Sequence, residues 1–355
     1  MDFLVNRKDL HAFRMVDRAP AELEPGQALL EIDSFGLTSN NITYGVLGEA
    51  MHYWWFFPAE GGWGRIPVWG FAEVAETAND ELPEGTRVYG YLPPSSRLVI
   101  EPDRFDRRGF VDASPHRAHL PSVYQGYRAV DADPVYDAEH EDEQILLWPL
   151  FFTSWLLDDF LADEGFFGAQ TIVIGSASSK TALSAAFLLS QREGIEVIGL
   201  TSPRNKAFVE RTGVYSPVVT YEEIDSLPRA KAVYVDMSGN AEVRSAVHEH
   251  YGDDLGYSCP VGITHHEEMA GGSDLAGPDP VFFFAPVRIK KRGADWGAAD
   301  LDQRVTDAWH PFVEWTGGWL EVIHGRGPEA LQKAYLDVLD GKVYPAAGHV
   351  LSPSA

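Results

Sequence analysis

Cysteine is nearly absent from this chain. A single one among 355 residues, Cys259, excludes an intrachain disulfide, a four-thiolate structural zinc site and an iron–sulfur cluster held by several cysteines. Basic residues are also scarce: 28 Lys and Arg against 53 Asp and Glu leave a formal charge of -25. Such a surface repels phosphate backbones and anionic lipid, which argues against nucleic-acid or membrane-surface binding as the main activity but leaves room for a small anion in a local basic pocket. The same excess can serve solubility or adaptation to salt. No uncharged stretch approaches the roughly 20 residues of a membrane span. The opening Met1-Asp2-Phe3-Leu4-Val5-Asn6-Arg7-Lys8-Asp9 carries charge where a signal peptide needs an apolar run, so the expected compartment is the cytoplasm.

What is present suits folded domains. Hydrophobic residues make up 45% and aromatic residues 12%, and the length allows about two domains. Residues 1–130 read as short strands punctuated by turns such as Leu23-Glu24-Pro25-Gly26-Gln27 and Leu82-Pro83-Glu84-Gly85-Thr86, the texture of a β-rich, barrel-like unit. Residues 131–143 are acidic and read as an exposed connection, and 145–160 form a long apolar segment. Strand candidates then follow at 171–174, 196–200, 217–220 and 232–236. Between the first two, Ala182, Leu183, Ala186, Phe187 and Leu189 recur at helical spacing. This rhythm predicts a doubly wound parallel sheet. Residues 281–286 read as a buried strand, and 300–315 and 328–339 as helices.

The segment Gly175-Ser176-Ala177-Ser178-Ser179-Lys180-Thr181 stands where a dinucleotide fold needs its phosphate turn, after a buried strand and opening a helix. Its glycines are depleted. Gly175 supplies the tight turn, small side chains and hydroxyls follow, and Lys180 brings a positive charge. A Walker loop does not fit, because Ile174 and Ser179 occupy its glycine positions. A fold that has lost its cofactor remains open as an alternative. The second strand ends Leu200-Thr201-Ser202-Pro203-Arg204-Asn205-Lys206, with no acid to bond a ribose diol. Thr201, Ser202, Arg204 and Asn205 suit a 2′-phosphate, which favours NADP(H) over NAD(H). The plain alternative is that Arg204 and Lys206 solvate a helix start.

The order of parts, with Pro25-Gly26-Gln27-Ala28-Leu29-Leu30-Glu31-Ile32, Val68-Trp69-Gly70-Phe71-Ala72-Glu73-Val74 and Gly85-Thr86-Arg87-Val88-Tyr89-Gly90, resembles the zinc-free branch of the medium-chain dehydrogenase/reductase superfamily. That branch includes quinone oxidoreductases and enoyl reductases. Residues 176–182, with Asp236-Met237-Ser238-Gly239-Asn240 and Val261-Gly262-Ile263-Thr264-His265, are similar to a branch known as a domain of unknown function. The resemblance implies an α/β fold in two domains: a GroES-like catalytic domain from 1–135 with 290–355, and a Rossmann-type nucleotide domain over 136–289. It also implies a homodimer.

Against that background, Tyr44 or a bound water is the expected proton donor and Asn41 or a backbone amide the group that steadies the substrate oxygen, although Asn40 and Asn41 capping a helix and Tyr44 packing in a core fit equally well. His52, Tyr53, Trp54 and Trp55 are expected to wall a substrate pocket, with core packing as the alternative. His116, His119 and Tyr124 are weaker candidates. Thr264 and His265 are implied as cofactor contacts. No metal site is expected, since adjacent members of His265-His266-Glu267 point to opposite faces of a strand. Cys259 reads as a small buried residue. The expected function is NADPH-dependent reduction of an activated C=C or C=O in a small carbonyl substrate. The alternatives are a cofactor-independent hydrolytic or carbon–carbon cleaving enzyme with a vestigial nucleotide site, or a nucleotide-binding sensor.

Overall fold

Runs of β-branched and aliphatic residues from Thr171 onward become, in this computed structural model, a five-stranded sheet. The structure describes residues 1–17, 22–261 and 275–354. Across the sheet lie Val218–Thr220, Glu196–Thr201, Thr171–Ile174, Ala232–Asp236 and Leu255–Pro260, each parallel to its neighbour. Thr171–Ile174 and Ala232–Asp236 bury every residue, as parallel strands covered on both faces do. Chain order reverses between these two strands. In open α/β sheets ligands bind outside the carboxyl ends of the strands at that reversal.

The helices between the strands start where the sequence provides caps. Ser179 accepts from the Ala182 N–H to open Lys180–Leu189, and the Asn240 side chain accepts from Glu242 and Val243 to open Ala241–Tyr251. The expected strand at 281–286 does not form. Phe283 makes only an isolated bridge to Val261, Val281 and Phe284 are 49% and 52% exposed, and Ala285 and Pro286 begin the helix Ala285–Trp296. Proline fits a first helical turn, where its missing N–H costs nothing, so it converts the apolar run from strand to helix start.

Two compact units divide the chain, Met1–Leu146 with Leu320–Ala355, and Leu147–Trp319. The sequence places these divisions at 135/136 and 289/290. The structure moves them because Ala298–Thr316 packs on the helix Glu141–Asp163: Trp309 meets Trp148 at a centroid distance of 5.2 Å, and Phe312 meets Phe151 at 4.6 Å.

The first unit is β-rich. Its nine-stranded sheet runs Glu321–Arg326, Ala347–Ser352, Ala28–Leu37, Val68–Thr77, Arg87–Leu92, Gly126–Ala129, Gly109–Asp112 and Pro102–Asp106, while Arg97–Ile100 pairs off that path with Ala28–Leu37. Its core gathers Phe3, Leu30, Phe35, Trp54, Val88, Tyr91, Leu331 and Tyr335. Gly36 is required where the helix Glu141–Asp163 approaches, since a Cβ there would stand 2.8 Å from Ile145 Cγ2. The acidic stretch 131–143 is only partly exposed. Asp133, 6% exposed, accepts from Arg128 and Gln144, and Glu141 pairs with Arg87. Glu141, Asp142 and Glu143 occupy the first turn of Glu141–Asp163, where acids complement the helix dipole. By length and composition that helix could cross a membrane, yet 67% of its apolar window is buried inside the protein.

Candidate functional site

In the second unit the site begins where Thr171–Ile174 ends. A Cβ on Gly175 would lie 2.9 Å from the Tyr234 hydroxyl, so the approach of the chain there requires glycine. Ser176 then turns the backbone at φ 54°. Ala177 is held from both sides: its N–H donates to Leu200 O at 2.9 Å, and its carbonyl accepts from the Tyr215 hydroxyl at 3.1 Å. A Cβ at Gly199 would meet Tyr215 at 2.9 Å and Ala177 at 3.0 Å, so a glycine on the second strand makes room for the alanine in the turn.

The Asn205 amide donates to Ser178 Oγ at 3.0 Å and joins the turn to the helix Pro203–Thr212. Gly175, Ser176, Ala177, Ser178, Ser179, Lys180 and Thr181 are thereby brought to the same end of the sheet as Thr201, Ser202, Arg204 and Asn205. Lys180 is half-buried, and loss of hydration pushes its ammonium down to about 8. Arg204 is exposed in the first turn of its helix and forms no ion pair among the described residues. Lys206 is engaged with Glu223 at 3.0 Å. Thr264 and His265 lie outside the described residues.

The sequence assigns no site role to two residues at this end. Asp236, fully buried, accepts from the Ser238 N–H, the Ser238 hydroxyl and the Gly239 N–H at 2.9, 2.7 and 3.0 Å, which shapes the turn leading to Ala241–Tyr251. Tyr234 Oη, also buried, has no hydrogen-bond partner among the described residues, and Ser202 Oγ shares that condition. The orphan hydroxyls, the glycine-only approach and an amide-rich helix start at the strand-order reversal fit a dinucleotide. The Asp-x-Ser-Gly run was the available sequence signal for Asp236. Nothing in the sequence marks Tyr234, a strand residue like its neighbours.

In the first unit, Thr38 precedes the helix Ser39–Val46. Asn41, expected to steady a substrate oxygen, is 4% exposed and bonded at both ends: its carbonyl accepts from the Thr38 N–H at 2.8 Å and its amide donates to Pro67 O at 2.9 Å. Asn40 instead reaches Tyr44, donating to its hydroxyl at 2.9 Å. Burial pushes the Tyr44 phenol well above its ordinary range and Tyr53 adds to this, while the Trp69 and Asn40 donors oppose it.

Tyr44 belongs to a cluster of rings. Its centroid lies 4.6 Å from Tyr53, 5.7 Å from Tyr91 and 6.4 Å from Tyr124. The four expected wall residues part company. Tyr53 joins the cluster, with its hydroxyl 3.5 Å from that of Tyr124. Trp54 sits in the core, in the space that Gly48 and Gly64 leave by lacking side chains. His52 and Trp55 are exposed and stack on each other at 4.0 Å. His119 lies 5.9 Å from Trp55, and His116 bonds Phe56 O at 3.2 Å. Cys259 is buried, and burial raises its thiol pKa. Among the described residues no three His, Cys, Asp or Glu side chains are grouped to hold a metal ion.

A Rossmann-type parallel sheet and a β-rich, GroES-like unit in one chain define the fold of medium-chain dehydrogenases/reductases, and solved structures share it. CurA from Vibrio vulnificus in complex with NADPH matches with a TM-score of 0.56 and 13% identity, over 97% of this chain and 94% of that one. A mutant form of the enoyl thioester reductase from Candida tropicalis matches at 0.55 and 10%, over 99% and 98%. The quinone oxidoreductase from Coxiella burnetii matches at 0.55 and 14%, also over 99% and 98%. No curated protein matches the chain. Within that fold the chain belongs to the DUF2855 family, described as a protein of unknown function, which matches residues 35–344.

Proposed function

We propose that this protein is a reductase that uses NADP(H) to reduce an activated C=C or C=O bond in a small carbonyl compound. The observation that carries the reading is the turn from Gly175 to Thr181 at the reversal of strand order, with a helix opening from it and the orphan Tyr234 hydroxyl beneath Gly175. The printed names of the structural neighbours, an NADPH complex, an enoyl thioester reductase and a quinone oxidoreductase, support it.

When bound, the cofactor supplies a hydride, and the protein binds and orients. Backbone amides at the start of Lys180–Leu189 and the Lys180 ammonium receive the pyrophosphate. Arg204, exposed and without an ion pair among the described residues, takes the 2′-phosphate in its guanidinium fork, beside Thr201, Ser202 and Asn205. Thr264 and His265 are assigned to the same cofactor on the family resemblance. In the first unit, Tyr44 holds the proton to be delivered and Asn40 orients its hydroxyl. The reading extends to a zinc-independent, cytoplasmic homodimer.

The test is a titration of cofactor-stripped protein with NADPH and NADH, read by quenching of the ten tryptophans. NADPH is expected to bind at micromolar concentration and NADH more weakly. Arg204→Ala should weaken NADPH about tenfold and leave NADH unchanged, the worth of one charged hydrogen-bonding group. Failure of both nucleotides to bind overturns the reading. An unchanged NADPH preference in the variant overturns the role of Arg204.

A further inference from the structure

The second strand of the parallel sheet, Glu196–Thr201, ends without the acid that a ribose diol needs, but the structure brings one to the same end of the sheet from the strand beside it. Thr201 stands opposite Thr220 in the register of those two strands. Thr220 starts the short helix Tyr221–Ser226, and Glu223 turns back to accept from the Thr220 N–H at 3.1 Å. That helix also touches the phosphate turn, since the Tyr221 hydroxyl meets the backbone of Ser176. Glu223 is thereby fixed at the end of the sheet that carries Thr201, Ser202, Arg204 and Asn205.

The carboxylate has a second partner. Lys206, in the helix Pro203–Thr212, donates to the same Glu223 oxygen at 3.0 Å. The Thr220 N–H, the Lys206 ammonium and the Thr220 hydroxyl together hold the Glu223 pKa down at about 2, so the group is ionised at any working pH. Both side chains keep an open side, with 32% of Lys206 and 50% of Glu223 exposed. An ion pair so exposed adds little to the stability of a fold. Its effect here is on what can approach. A 2′-phosphate arriving beside Arg204 meets one cation without an ion pair among the described residues, a second that is already claimed, and a fixed negative charge. A ribose diol meets an acceptor instead.

We propose that Glu223 is a specificity-determining residue of the dinucleotide site: by claiming Lys206 and repelling a 2′-phosphate, it narrows the preference for NADP(H) over NAD(H). The inference rests on the reductase reading above and adds to it the residue that limits its choice of cofactor. Specificity is a difference of two affinities, and a repulsive group aimed at one ligand changes it as an attractive one does. Arg204 supplies the attraction and Glu223 the repulsion. Glu223→Gln separates the charge from the fold, because a glutamine at the third position of a helix still accepts from the N–H of the capping residue.

The experiment uses the full chain, Glu223→Gln, and the double variant that adds Lys206→Met, all at one ionic strength. Calorimetry measures the binding of NADPH, NADH and 2′,5′-ADP, the last of which carries the 2′-phosphate without a nicotinamide. Glu223→Gln should bind NADPH and 2′,5′-ADP about tenfold more tightly, as one charged partner is gained, and NADH no more tightly than before. Adding Lys206→Met should remove most of that gain, and a gain that survives it overturns the part assigned to Lys206. The melting temperature of Glu223→Gln should stay within about 2 °C of the parent. Lower melting with weaker binding of all three ligands would mark Glu223 as a helix cap alone and overturn the inference, as would affinities that do not change. Oxidation of NADPH by 2-cyclohexen-1-one or benzaldehyde, with an NADPH affinity indifferent to Glu223→Gln, keeps the reductase reading and sinks this inference. Tighter 2′,5′-ADP binding in the variant without oxidation of NADPH does the reverse. Wild-type protein that binds none of the three ligands overturns both.

Discussion

Lys180 opens its helix half-buried, and its ammonium titrates near pH 8 where a free lysine titrates at 10.5. With the folded pKa below the unfolded one, the folded state binds fewer protons between these values. The cost of the buried charge is therefore present in full below about pH 8 and is relieved as pH rises towards 10.5. Binding of an anion pulls the other way, since it needs the ammonium charged. NADPH binding near pH 8 should take up a proton, and affinity should fall as pH rises past that point. Calorimetry in buffers of different ionisation heat measures the uptake. Lys180→Met should abolish both the uptake and the slope, and a wild-type protein without uptake would show that this side chain does not face the phosphates. Other residue-scale features were less legible. Asn40 and Asn41 are adjacent amides, and only the helix start, which turns Asn41 back to Thr38, decides which one reaches Tyr44. The orphan hydroxyls of Tyr91 and Tyr234 carry no signal in strands that are buried almost throughout.

Among the elements, Ala285–Trp296 is held to Glu141–Asp163 by charge. Asp159 accepts from Arg288 Nε at 2.5 Å and Arg292 Nε at 2.8 Å, and Asp163 pairs with both arginines at 2.7 and 3.0 Å. Asp159→Ala leaves two buried guanidinium groups short of a partner and should cost about 3–5 kcal/mol. At roughly 2–4 °C per kcal/mol for a unit of this size, thermal denaturation should show a loss of about 6–20 °C. A smaller shift would mean that Asp163 alone carries the contact. These pairs span 125 to 133 residues of sequence, which is why the placement of this helix could not be read from the chain. Its start was misread for a local reason, since Val281 to Phe284 has the composition of a strand and only Pro286 argues otherwise. The parallel strands and their helices were legible because their signals are local: fully apolar strand runs, a cap at Ser179 and periodic residues behind it.

For the whole molecule, the charge of -25 sets the response to salt. Self-repulsion acts over a screening length of about 10 Å at 0.1 M, shrinking to about 3 Å at 1 M. The melting temperature should therefore rise between 0.05 and 1 M NaCl, and scanning calorimetry checks it. A fall would show that the ion pairs outweigh the net charge. The division into two units was legible in outline, from the change of texture near residue 144. That Ala347–Ser352 runs between Glu321–Arg326 and Ala28–Leu37 was not, because strand neighbours are chosen by the whole sheet. This placement bears on biosynthesis. A ribosome adds about 5–20 residues per second. Residues 1–146 must wait while 147–319 emerge, with Ala28–Leu37 short of the neighbour that pairs with its end. The unit that is continuous in sequence closes first although it is made second, and the nascent chain carries an unpaired strand edge, a surface open to aggregation, through that interval.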